Sequence, residues 1–308
     1  MIRILLAAFV FSGIVSSSFA QAPGVPVYNE LKLRKSDAAA KKAAVEIQKA
    51  GGLLGVDAVK EQLEKRKSCK LKLPAPHTTK LAPRDLWKRA RESHLRVGWL
   101  FKDGEKQNWQ ITLSGGYVIT EDGAVATCFH VVDPGGPEMK DAVLVAATDD
   151  DKVFPVTEIL AASRDSDTCI IRVNSPDKLT PLPLSTDVVP GDAVYCFSEP
   201  MGRRGFFSSS IVNRFVQRPA FKLRKKDPVP ETLPTYLEVG ADWAPGSSGA
   251  AVLDEKGNAV GHVATVESMV DDQADLPKKQ RSFIPGTVIV FHGAVGAQHV
   301  KELVKEKN

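Results

Sequence analysis

A succession of short β-rich runs, punctuated by turn residues over about 200 positions, constrains this chain most. Residues 96–101, 116–120, 142–147, 168–173, 193–197, 235–239, 250–253, 259–266 and 287–291 are rich in β-branched and aromatic side chains, which favour a pleated, half-buried surface. Between them lie Glu121-Asp122-Gly123, Val189-Pro190-Gly191-Asp192 and Asp254-Glu255-Lys256-Gly257-Asn258, segments whose residues turn the chain back cheaply. Many short strands with little helix between them predict an all-β barrel or sandwich. With 43% hydrophobic and 25% charged residues, the chain can fill such a core.

The first 91 residues are a different material. Arg3, an apolar run over 4–15 and the small residues Ser18 and Ala20 predict a signal peptide over 1–20, cut before Gln21. The apolar run is shorter than the ~20 residues a membrane span needs, and no later stretch approaches that length, so no integral membrane span is expected. The mature protein is then expected outside the cytoplasm, periplasmic or extracellular. Residues 21–91 form a basic, partly helical extension. Helices are predicted over 36–49 and 57–67, and Pro74, Pro76 and Pro83 mark a linker. Between Lys32 and Lys70 eleven Lys/Arg face five Asp/Glu, which reads as a solvated helical arm. The net charge of +4 is too small to argue for a nucleic-acid partner. Cys69, Cys128, Cys169 and Cys196 allow three full pairings that sequence alone does not rank, and none has the close spacing of a zinc site, so no metal is expected.

Three local patterns stand in a fixed order: His130 in Thr127-Cys128-Phe129-His130-Val131-Val132, Asp167 in Ser166-Asp167-Thr168-Cys169, and Ser248 in Pro245-Gly246-Ser247-Ser248-Gly249. Each alone is weak, but together they answer a chemical need. A serine hydroxyl attacks a carbonyl only with a base at hand to take its proton. Imidazole suits that task near neutral pH, provided a carboxylate holds its other nitrogen. The oxyanion that forms needs preorganised N–H donors, which Gly246 and Ser248 can supply from the backbone. An α/β-hydrolase would run serine, acid, histidine, and a subtilisin aspartate, histidine, serine, so the order here agrees with the all-β reading. This chemistry calls for no cofactor.

These motifs resemble a chymotrypsin-fold, trypsin-like serine peptidase of the bacterial HtrA-type branch. The resemblance rests on Ser114-Gly115-Gly116-Tyr117-Val118-Ile119, the His130 and Asp167 motifs, Leu182-Pro183-Leu184, Gly191-Asp192, Ser198-Glu199-Pro200-Met201-Gly202 and the Ser248 loop, within residues 92–296. It implies two packed six-stranded β-barrels with the triad between them, protein or peptide substrates, and a serine endopeptidase working through an acyl-enzyme on Ser248. Register within the motif selects Ser248 over Ser247. Ala250-Ala251 replaces the usual Gly-Pro, and Ser198-Glu199 departs from the common Gly-Asn. Residues 297–308 are read as a tail, too short for the PDZ domain usual in that branch. The resemblance also places Asp242 where trypsins carry the carboxylate of their primary pocket, the alternative being that it turns away to cap a loop or meet solvent. It brings Cys128 and Cys169 close enough for a bridge, the alternative being buried free thiols. The alternatives are a non-catalytic peptide-binding module on the same barrels and, behind it, an esterase.

Overall fold

The computed structural model describes residues 26–28, 30–104, 107–135, 139–222, 232–270 and 287–306; the expected signal peptide lies outside them. The chain opens with helices α1 (Glu30–Ala50) and α2 (Val56–Lys65), a short strand β1 (Cys69–Leu71) and helix α3 (Pro83–Ser93). Six strands follow: β2 (His94–Lys102), β3 (Trp109–Val118), β4 (Ala124–Thr127), β5 (Lys140–Ala147), β6 (Val153–Ser163) and β7 (Thr168–Val173). Between β4 and β5 sits a single helical turn, α4 (Phe129–Val132). Six more strands are β8 (Ala193–Ser198), β9 (Phe206–Gln217), β10 (Thr235–Val239), β11 (Ala251–Leu253), β12 (Ala259–Val270) and β13 (Thr287–Gly296). Helix α5 (Gln298–Leu303) and strand β14 (Val304–Glu306) close the described chain.

Each set of six closes on itself, in the order β2-β3-β4-β7-β6-β5 and β10-β13-β12-β11-β8-β9, with every pairing antiparallel. Closure leaves no unpaired edge within either sheet. These are the two barrels that the chymotrypsin fold implies. Alternation along the strands builds the cores: Val125 and Ile171 fill the first barrel, whereas their neighbours Ala124, Ala126 and Ile170 face the other way. There they meet Phe197, Ala251 and Leu253 of the second barrel, so one apolar layer joins the barrels.

The extension differs from the expected solvated arm. Ala40 and Ala44 of α1 and Val59 and Leu63 of α2 are buried, and Leu54 between the helices enters the first core. Backbone bonds fasten it: Leu144 N–H donates to the Leu54 carbonyl at 3.2 Å and Ala162 N–H to the Arg66 carbonyl at 2.8 Å. The charge count missed this because lysines cover one side of each helix while small and aliphatic residues cover the other. Further on, β1 pairs in parallel with β14, so the extension also ties down the last described strand.

Candidate active site

The loop that carries Ser248, residues 244–250, touches both barrels. Gly115 N–H of β3 donates to the Ser248 carbonyl at 2.7 Å, and Ser114 Oγ donates to the same oxygen at 2.9 Å. A Cβ on Gly115 would lie 2.5 Å from Ala250 N, so this approach needs glycine. From the other side Gly249 N–H donates to the Val263 carbonyl at 2.7 Å. The Ser248 backbone is thus gripped by a strand of each barrel, and its half-buried side chain faces the cleft.

His130 stands on α4, the turn that leaves β4. Its Nδ1–H donates to Asp167 Oδ2 at 2.8 Å, and its backbone N–H donates to Asp167 Oδ1 at 3.0 Å. Both carboxylate oxygens therefore hold one residue, and Nε2 is left as the acceptor. Asp167 is 2% exposed and sits in the tight turn before β7 at φ 47°, a left-handed conformation that aspartate tolerates better than most residues. His130 and Ser248 line one cleft of about 510 Å³ with Val97, Trp99, Phe101, Leu113, Val131 and Met139, a mainly apolar wall supplied by the first barrel. No hydrogen bond joins Ser248 Oγ to His130 among the described residues; such contacts often tighten only when substrate binds.

Gly246 has φ 101°, and neither its N–H nor that of Ser248 donates to a protein acceptor among the described residues. On the loop's far side Met201 N–H donates to the Pro245 carbonyl at 2.8 Å. The C=O and N–H of a trans peptide point in opposite directions, so this bond turns the Gly246 N–H toward the cleft. Ser247 turns inward, fully buried, with Oγ 3.2 Å from Ser198 Oγ. The geometry can orient an imidazole, accept a hydroxyl proton and hold an oxyanion.

Residues 114–261 match the trypsin-like peptidase domain. No curated protein matches the chain. The trypsin-like peptidase match begins at Ser114 in β3 and ends within β12, so it contains His130, Asp167 and Ser248 in order.

At two places the structure chooses between the sequence's alternatives. Cys128 and Cys169 are buried free thiols rather than a bridge. The strand register pairs Cys169 with Thr127, while Cys128 Sγ turns to the Val263 carbonyl at 3.1 Å in the other barrel. Cys128, His130 and Asp167 are close enough to hold a metal, with ligand atoms within 4.8 Å. Burial pushes the Cys128 thiol well up, however, and a protonated thiol is a poor ligand. Asp242 is exposed, lies near His292, and is not part of the cleft wall.

His262 Nε2 lies 3.2 Å from the Asp167 carbonyl, fully buried behind that aspartate. Burial pushes its imidazole down to about 4, so it stays neutral there. Its only sequence signal was its place in β12, facing a strand not yet known to be its neighbour.

Proposed function

We propose that the protein is a serine endopeptidase that cleaves peptide bonds in proteins through an acyl-enzyme on Ser248. The bond from His130 Nδ1 to Asp167 Oδ2, in a cleft shared with Ser248, carries this reading. Asp167 holds the imidazole so that Nε2 takes the Ser248 proton as Oγ attacks the scissile carbonyl. The carbonyl oxygen, now anionic, is held by the N–H groups of Gly246 and Ser248. His130 returns the proton to the leaving amine, and water repeats the sequence to release the acyl group. The HtrA-type branch and export are part of the proposal, supported by the motifs within residues 92–296 and by the pattern over 1–20.

One observation favours a second reading, a peptide-binding module without catalysis: among the described residues Ser248 Oγ makes no hydrogen bond to His130. A fluorophosphonate probe separates the two. Labelling of the wild type, lost in Ser248→Ala, together with a rate loss on the order of a millionfold, is the expected result. A folded wild type that takes no label would leave only the binding module.

A further inference from the structure

The loop that departs from the family pattern, Ser198-Glu199-Pro200-Met201-Gly202, backs directly onto the oxyanion loop. A Cβ on Gly246 would lie 2.5 Å from the Glu199 carbonyl, and Met201 N–H holds the Pro245 carbonyl. Something must hold this loop in turn. Trypsins hold theirs with a new N-terminus paired to the acid before the serine, and Ser247 stands at that place here, its Oγ donating to the Ser198 hydroxyl.

The Glu199 side chain instead points into a buried ionic cluster. Its Oε1 lies 3.5 Å from Arg96 Nε of β2 and 3.7 Å from Arg204 Nε, two guanidiniums 1% and 5% exposed. Neither approach has hydrogen-bond geometry, and all three atoms are buried without a hydrogen-bond partner among the described residues. Around them stand Asp149 and Asp151 of the β5–β6 turn and Asp37 of α1, with Arg91 of α3 and Tyr28 on Asp149. Four carboxylates thus share three guanidiniums, and among the described residues Glu199 Oε1 is held by charge. A small cavity of about 80 Å³ runs from Asp37, Arg96 and Arg204 past Glu199 to Gly246 itself.

We propose that Glu199 is a positioning residue for the oxyanion hole: ionised and drawn between Arg96 and Arg204, it seats the 199–202 loop, which keeps the Gly246 N–H turned into the cleft. Through Asp37 the N-terminal extension completes the same cluster. Burial pushes the Glu199 carboxyl up to about 7 against the pull of both arginines, so the latch is set above neutral pH and released below it. This inference rests on the peptidase reading for its catalytic consequence but not for its loop geometry.

The test compares wild type with Glu199→Gln, which removes the charge and keeps the shape, and Glu199→Asp, which keeps the charge. Losing one oxyanion donor outright costs about 10²–10³ in kcat, and the loop keeps its other bonds, so Glu199→Gln should lower kcat by about tenfold or more with KM nearly unchanged. The acid limb of its pH profile should follow one proton where the wild type follows two, and Glu199→Asp should retain the second. Hydrogen exchange over residues 244–250 should quicken in Glu199→Gln whether or not the protein is a peptidase. Asp37→Asn, a change at a residue 64% exposed on the extension that threatens folding least, should quicken it to a smaller degree. A wild type that takes no fluorophosphonate overturns the peptidase reading alone. Unchanged exchange together with unchanged kcat in Glu199→Gln overturns the latch.

Discussion

Ser247 and Ser248 are chemically identical neighbours whose environments set them apart. Ser248 opens to the cleft, while Ser247 is sealed against Ser198. Ser247→Ala should therefore leave substantial activity and cost about 1 kcal/mol of stability for the lost hydroxyl pair, read from urea unfolding. An inactive, well-folded Ser247→Ala would show that the register is wrong. Gly246 is constrained differently. Its φ of 101° and the nearby Glu199 carbonyl leave no room for a side chain, so Gly246→Ala should strain the loop by on the order of 1–3 kcal/mol. In the proposed mechanism that peptide presents the oxyanion donor, so kcat should drop while KM changes little. A raised KM with unchanged kcat, in protein titrated for active sites, would instead place the strain on substrate binding.

At the scale of single elements, α2 shows how a charged helix can still be structural. Val59 and Leu63 are buried against the first barrel, and Gln62 Oε1 accepts the Ile159 N–H at 2.8 Å. Leu63→Ala should cost about 2–5 kcal/mol, measured as a fall in the urea midpoint, because truncation leaves a cavity in a close-packed site. A cost below about 0.5 kcal/mol, ordinary for a surface position, would restore the picture of a solvated arm. Three barrel strands escaped the pattern of β-rich runs. Strand β4 has four residues, too few to show alternation. Strand β6 is interrupted by Pro155 and by register shifts, and β9 is half serine and polar residues with an exposed face. Each is a strand because its neighbours demand hydrogen bonds from it, not because its own residues insist.

Across the whole molecule, buried ionisable groups couple stability to pH. His94 is 3% exposed with neither ring nitrogen partnered among the described residues, and burial pushes it down to about 4, the value also reached by His262. An unfolded imidazole titrates near 6.5, so as pH falls the unfolded chain binds these two protons first. Their contribution is complete above about 6.5 and is lost between there and about 4, roughly 3 kcal/mol for each. Glu199 acts in the opposite sense. Its folded value of about 7 lies above the ordinary carboxylate range, so the folded state gains from binding that proton as pH falls. Two histidines against one carboxyl leave a net loss, and the urea midpoint should fall from about pH 7 to pH 4.5. His94→Leu should flatten the slope by about one proton, and an unaltered slope would refute this account.

The sequence by itself determined the fold class and the order of the candidate site residues. Strand-length β runs between turns require closure or stacking, and His130, Asp167 and Ser248 each lie in a motif whose neighbours fix a local conformation. Such signals are local, carried by residues within a few positions of one another. Tertiary structure decided what depends on distant segments meeting. The Cys169 register against Thr127, the approach of His262 to Asp167, the exposure of Asp242 and the gathering of Asp37, Arg96, Glu199 and Arg204 all join residues far apart in sequence. Whether a charge is solvated or buried depends on what packs over it, and that information is spread over the whole chain.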